Sequence, residues 1–303
     1  MNPRTVALGL GDSVELAHVW AHHVASERGI RVLSVKGASL AHHGLRDARQ
    51  SADVDVLVDP SRLDDYLAAV ASAGWRERPS SYASRRFTLH SHALAHPDWP
   101  CDLDVHAYFP GFLADPQHVF DTLWERRATF PAAHRTCATP DRVAAALILA
   151  LHSLRGGHRD PRHQRELDRL IEIAALTEDE RRDAAVLAVD TGCAATLEDV
   201  LPRLGVDAPA APPPDPAALQ LWRGRVAARS EASYFWLTTL RAARWRDRPP
   251  IAFRAVWPSD HDLLLDHPDL RDAVWPKLRA RAARVGRGLR SLPRSLRVLR
   301  RTF

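Results

Sequence analysis

Residues 12–28 (DSVELAHVWAHHVASER) place apolar side chains at helical spacing behind an Asp-Ser pair, and predict a helix capped at that pair. The β-branched run IRVLSVKGAS reads as a strand ending in a tight turn at Lys36-Gly37, with ASLAHHGL adding a helical turn. In SADVDVLVDPSR, Asp alternates with Val and Leu until Asp-Pro stops the pattern. Side chains on a strand alternate with a period of two, so this is a strand with its acids on one face. Residues 61–74 predict an amphipathic helix with Ser61 as cap and Gly74 as stop. The segments 85–91 (RRFTLHS) and 101–108 (CDLDVHAY) read as two further strands joined across a loop at 92–100.

From about residue 116 the period changes to 3.6. DPQHVFDTLWERR, TPDRVAAALILALHSLR (Pro140 in its first turn), QRELDRLIEIAAL and TEDERRDAAVLAVDTG each predict a helix. The Pro-rich stretch 207–216 is a linker or surface loop, and a long helical pattern resumes with PAALQLWRGRVAARSEASYFWLTTLRAAR. No internal repeat is visible. The pattern implies an α+β head of residues 1–130 and an all-α body of residues 131–303.

Composition narrows the class. A chain of 303 residues, 46% apolar and 26% charged, is that of a globular protein, and no apolar run approaches the length of a membrane span. The first twenty residues carry one early Arg and then acids, unlike a secretory leader. Cys101, Cys137 and Cys193 are odd in number and far apart, which argues against a disulfide framework or a structural zinc site and makes the cytoplasm the expected address. The net charge of +5 fits a phosphate-bearing partner without specifying one. Lysine occurs only at Lys36 and Lys277, against arginine everywhere else.

The head has a particular chemistry. One strand ends in Lys36-Gly37-Ala38-Ser39, the next presents Asp53 and Asp55 on one face, and a later strand with apolar flanks presents Asp104. Two divalent ions about 3.5–4 Å apart, bridged by carboxylates, can neutralise a triphosphate, activate a hydroxyl and stabilise a leaving pyrophosphate. Magnesium takes oxygen ligands and keeps waters, so a few Asp residues plus substrate phosphates complete its shell. A Gly turn followed by a small hydroxyl residue lets backbone N–H groups approach the phosphates.

GAS, then SADVDVLV, then LDVH resembles the polymerase-β-like nucleotidyltransferase superfamily. More narrowly, VLSVKGASLAHHGL…SADVDVLV…LDVHAYF is similar to an uncharacterised bacterial nucleotidyltransferase family in which a helical region follows a small mixed sheet with helices. LHSLRGGH, ELDRLIEIAAL and AVWPS extend the resemblance into the body. Carried over position by position, it implies that Asp53 and Asp55 are paired metal ligands and Asp104 the third ligand and base. Gly37 and Ser39 would cradle the triphosphate. The metal would be Mg²⁺ in a two-ion site, with Mn²⁺ an alternative, and the nucleotide an NTP, with ATP expected. Two positions depart from the family pattern: the Gly-Ser pair is split by Ala38, and Ala52 stands where a Ser usually precedes the acids.

Other residues admit a functional and a structural reading. Asp102 shares the face of Asp104 but lacks its Val-His context, so Asp104 is preferred. Lys36 contacts phosphate or caps a strand end. His106 shares the strand face and contacts nucleotide or packs structurally. His152 and Asp168 lie on successive helices and could pair. Histidines 22, 23, 42, 43, 90, 92 and 96 have no ligand spacing and read as surface residues. Between Lys277 and Phe303 stand ten basic residues and no acid, with Arg281, Arg284, Arg287 and Arg290 three apart. This is a basic helical face, broken at Pro293, that would grip RNA or simply be solvated.

The expected activity is metal-dependent transfer of an NMP to a hydroxyl or similar acceptor. A small molecule, a natural-product peptide, a tRNA 3′ end and a protein side chain all remain open as acceptors. The alternatives are a tRNA-modifying toxin and a non-catalytic nucleotide- or partner-binding module on the same fold.

Overall fold

The computed structural model describes residues 8–87, 90–156, 161–229 and 231–302. Helix α1 (Leu10–Ser26) leads into β1 (Val32–Ser34), α2 (Gly37–His42) and β2 (Asp53–Val58). Next come α3 (Leu63–Ser72), β3 (Arg76–Glu77), α4 (Tyr82–Phe87), β4 (Ser91–Ala95) and β5 (Asp102–His106). Helix α5 (Pro116–Glu125) precedes a hairpin of β6 (Arg127–Ala132) and β7 (Arg135–Pro140). Helices α6 (Arg142–Gly156), α7 (Pro161–Ile173) and α8 (Glu178–Asp190) follow, then α9 (Pro216–Ala227), α10 (Ala232–Ala242), α11 (Arg248–Val256), α12 (Asp260–Asp266) and α13 (Val274–Thr302).

The fold is α+β, with a five-stranded mixed sheet in the order β1-β2-β5-β4-β3. Strand β2 runs antiparallel to β1 and parallel to β5, and β5 is antiparallel to β4. Alternation sends Val54, Val56, Val58, Leu103 and Val105 to one face, where they join Val14, Ala17, Ala21, Val24 and Ala25 of α1 and Tyr66 and Val70 of α3 in one core. Each fully buried Val or Leu there contributes about 1.5–3 kcal/mol. The opposite face carries the acids.

The chain clusters into two units. One groups Met1–Arg78, His90–Ser153 and Arg162–Pro216, and the other Pro79–Leu89, Leu154–Pro161 and Ala217–Phe303. In the first, α6 is buried continuously from Val143 to Leu151. Among the described residues, no helix is long and apolar enough to cross a membrane.

Several local expectations are corrected. Residues 85–87 end helix α4 rather than open a strand, the strand starts at Ser91, and residues 88–89 lie outside the described residues. The hairpin β6–β7 fills the stretch left unassigned between two predicted helices and takes the first residues of the second, in a region expected to be mainly helical, and its turn places Ala133 and His134 at φ 41° and 60°. Turns of that hand usually advertise themselves with Asn-Gly or Asp-Gly, and this one does not. Pro140 therefore closes β7. The next helix is capped instead by Asp141, which accepts from the Ala144 N–H at 2.8 Å. Ser61 is not the cap of α3. It sits in a 3₁₀ turn (Pro60–Arg62) whose N–H and hydroxyl both donate to Asp59. Helix α1 starts two residues before the Asp-Ser pair, with Gly9 at its N-cap. Helix α8 opens on a capping box in which Thr177 and Glu180 satisfy each other's backbone N–H groups.

Helix α13 runs through Pro293 without a break. Its three-apart arginines are not one solvated stripe. Arg281 is only 7% exposed, donates to the Pro258 carbonyl at 3.0 Å and to Asp260 at 2.5 Å, and stacks on Trp257 with 4.9 Å from guanidinium to ring centre. Arg284 donates to the Ala255 carbonyl at 3.0 Å. Truncation of Arg281 would strip a carbonyl of its donor and a ring of its cover, so Arg281→Ala is expected to cost about 2–3 kcal/mol in urea unfolding, with Arg281→Lys recovering part. An unfolding midpoint equal to that of the wild type would refute this structural role.

Candidate active site

Strand register builds the site. Because β2 and β5 are parallel neighbours, Asp53 lies opposite Asp102, Asp55 opposite Asp104 and Leu57 opposite His106. Period-two alternation then puts all of these on the face away from the α1–α3 core.

Asp55 is the centre. It is 5% exposed, and its Oδ1 receives both the Lys36 ammonium at 2.5 Å and the His106 Nε2 at 2.8 Å. Burial alone would raise its carboxyl; the Lys36 charge and the His106 hydrogen bond outweigh that and hold it well below the usual carboxylate range. Asp104 has the opposite fate. Its carboxylate makes no hydrogen bond or ion pair among the described residues, and burial followed by the charge of Asp55 pushes its carboxyl up to about 7. Ligand-type atoms of Asp55, Asp104 and His106 all lie within 4.8 Å of one another. Asp53 stands outside that trio and accepts from the Ser51 hydroxyl at 2.7 Å. Asp102 is engaged by the Arg78 guanidinium through two contacts of 2.7 Å, a forked pairing that separates it from Asp104.

The turn before α2 is strained. Lys36 has φ 67° and ψ −159°, a region populated almost only by glycine, and Gly37 follows at φ 55°. The bend is held because the Val35 N–H donates to the Asp55 carbonyl at 2.9 Å, bringing Lys36 to the acid. Ser39 is buried, and its hydroxyl donates to the Lys36 carbonyl at 2.8 Å, so it closes the turn.

Sequence reasoning missed the layer behind this turn. His18 and His22 both reach the Ser34 hydroxyl, at 2.9 and 3.0 Å, and the His18 Nε2 lies where it would meet a Cβ on Gly37 at 3.8 Å. Burial drops both imidazoles to about 4, so they are neutral. Their i, i+4 spacing on the buried face of α1 was the available signal. His22 is thus not a surface residue. Neither is His43, bonded to the Pro140 carbonyl at 2.9 Å, nor His90, buried beside His106. His23, by contrast, is exposed.

His152 and Asp168 do not pair. Asp168 accepts from Gln164 and Arg203, while His152 packs on His163 with ring centres 4.9 Å apart. His152, His163 and Glu166 form a second group with ligand-type atoms within 4.8 Å. Arg46 and Arg49 approach one Glu166 oxygen at 3.4 and 3.1 Å. Two guanidiniums already answer that carboxylate, which makes the group a tie between α7 and the loop before β2.

A mixed sheet whose adjacent parallel strands face two acids at one register position, beside a Lys-Gly turn, is an arrangement suited to phosphoryl chemistry. The chain belongs to the uncharacterised nucleotidyltransferase family, whose model it matches over residues 21–195. No curated protein matches it. Among solved structures it is similar to the antibiotic-resistance factor ANT(2'')-Ia, at 17% identity over 62% of this chain and 97% of that one, with a TM-score of 0.40. It is also similar to an antigenic nucleotidyltransferase-like protein from Paracoccidioides brasiliensis, at 14% identity over 66% and 95% of the two chains, again with a TM-score of 0.40.

Proposed function

We propose that this protein is a magnesium-dependent nucleotidyltransferase that moves an NMP from an NTP, ATP first among them, to a hydroxyl acceptor and releases pyrophosphate. The observation that carries the reading is the pairing of Asp55 with Asp104 across parallel strands, the one neutralised by Lys36 and His106 and the other without a hydrogen bond or ion pair among the described residues. A buried and a half-buried carboxylate so close repel one another, and a hard divalent cation is the partner that such a pair fits. Asp53, Asp55 and Asp104 would hold it, with Mn²⁺ able to substitute. The metal, when bound, supplies charge neutralisation for the triphosphate and the leaving pyrophosphate.

The chain's own residues do the rest. The Asp104 carboxylate orients the acceptor hydroxyl and takes its proton. The acceptor oxygen then bonds to the α-phosphorus as the bond from that phosphorus to the pyrophosphate oxygen breaks. His106 fixes the Asp55 carboxylate, and Lys36 and the Gly37 N–H meet the phosphates. Ser39 serves them indirectly, by closing the turn. Residues 1–130 act as the catalytic core, and the helical region 131–303 selects the acceptor, whether small molecule, peptide or RNA. The residues themselves favour neither a toxin nor a binding module over this reading: Asp53, Asp55 and Asp104 are all in place.

The test is calorimetric titration of each NTP with Mg²⁺ into the wild type and into Asp53→Ala/Asp55→Ala. Metal-dependent binding lost in the double variant is the expected result. A folded wild type that takes up no nucleotide, with or without candidate acceptors, would sink the reading.

A further inference from the structure

Within the unit that includes residues 217–303, α10, the end of α11 and α13 enclose a cleft of about 500 Å³. Arg229, Arg284, Arg287 and Arg294 line it, against one carboxylate, Glu231. Arg284 is anchored to the Ala255 carbonyl and stands 3.6 Å from Asp266, and Arg294 reaches Glu231 at 3.7 Å. The guanidiniums of Arg229 and Arg287 make no hydrogen bond or ion pair among the described residues. Arg229 is moreover held at φ 53°, a conformation that costs a side-chain-bearing residue free energy. The guanidiniums of Arg284 and Arg287, one helical turn apart, repel one another.

Two further features shape the cleft for a ligand. Gly286 and Gly288 sit inside α13, where glycine weakens a helix, yet a Cβ at either would meet no atom within 4 Å. Packing does not demand these glycines, and the bare backbone at Gly288 leaves the cleft open. Ser233 and Ser291, bonded to each other at 2.8 Å and further to Ser295 and the Gly288 carbonyl, give the cleft a polar side, and Trp236 gives an aromatic wall.

We propose that this cleft binds a phosphate ester about the size of one nucleotide. Four arginines lining one cleft suit the several oxygens and double charge of a phosphoryl group better than a lone carboxylate, which one or two guanidiniums already satisfy. The volume falls in the range of sites that enclose a small ligand. The cleft lies within this unit alone, and its binding does not depend on the nucleotidyltransferase reading.

The experiment is titration of inorganic phosphate, AMP and a short single-stranded RNA, in metal-free buffer at low and high salt. The proteins are the wild type, Arg229→Glu/Arg287→Glu and Asp55→Asn. The expected result is salt-sensitive binding of AMP, displaced by inorganic phosphate, that weakens at least tenfold in the charge-reversed variant and is unchanged in Asp55→Asn. Gly288→Leu, which fills the cleft while keeping every charge, should show the same loss and covers the case of a charge-reversed variant that fails to fold. Undiminished binding in both cleft variants, binding lost in Asp55→Asn, uptake of RNA alone, or uptake of none of the three probes overturns the proposal.

Discussion

Replacing Asp104 with asparagine is expected to abolish nucleotidyl transfer and, in metal-free buffer at pH 8, to make the protein more stable. Asp104 faces Asp55 across the parallel strands, and burial together with that neighbouring charge pushes its carboxyl up to about 7. A raised folded pKa means that the folded state holds this proton more tightly than the unfolded chain does. The stability so gained is complete below the ordinary carboxylate range and is lost as pH rises through about 7. A displacement of that size corresponds to about 4 kcal/mol, and partial exposure of the group reduces that to about 2. The side chain introduced by Asp104→Asn carries no charge to repel Asp55, so the variant's urea midpoint should exceed that of the wild type at pH 8, with the difference shrinking as pH falls and closing only below the ordinary carboxylate range. Magnesium should raise the midpoint of the wild type and not of the variant. Transfer should fall at least about a thousandfold, the scale of losing a group that meets transition-state charge. A variant that is destabilised at pH 8, or that retains transfer, would remove Asp104 from the role assigned to it.

Acid should attack the protein from a different place. His18 and His22 are held neutral by burial, with pKa values near 4 against an ordinary 6.5. Here the unfolded chain binds the proton more tightly, so stability is lost as pH falls from about 6.5 towards 4. For His18 alone the loss approaches about 3 kcal/mol. His18→Phe cannot take up that proton, and a ring at this position already meets Phe130 edge-on at 5.3 Å. The stability difference between wild type and variant, followed by urea unfolding at pH 7.5, 6, 5 and 4.5, should therefore shift steadily in the variant's favour. Parallel curves would show that these imidazoles do not govern the acid limb.

The acids and their strands are readable because their signal is local. Asp53, Asp55 and Asp104 each sit beside β-branched or Leu neighbours; period-two alternation puts Asp53 and Asp55 on one face, and the pairing of β2 with β5 adds Asp104 to it. Where the structure departs from expectation, the deciding contact is distant in sequence. Asp102 is distinguished from Asp104 by Arg78, 24 residues away. His18 and His22 are drawn inward by Ser34 on β1, and a histidine on an apolar helix face reads equally well as buried or solvated. The β6–β7 hairpin is hidden because Ala133 and His134 adopt positive φ without the usual turn residues. Pro293 reads as a break because a proline lacks the N–H that a helix uses. Around it, Ser233 of α10 bonds both Ser291 and Ser295, so tertiary contacts hold α13 together where local preference would end it.

Lys36 also bears on how the protein fares when divalent ions are scarce. With its ammonium at 2.5 Å from Asp55, the chain carries a built-in counterion for the buried acid at the centre of the site. If the site holds a metal as proposed, folding and metal loading are then separate events, unlike small domains that collapse only around their ion. A chelator should silence such a protein without denaturing it, and returning magnesium should restore it at the speed of diffusion rather than of refolding.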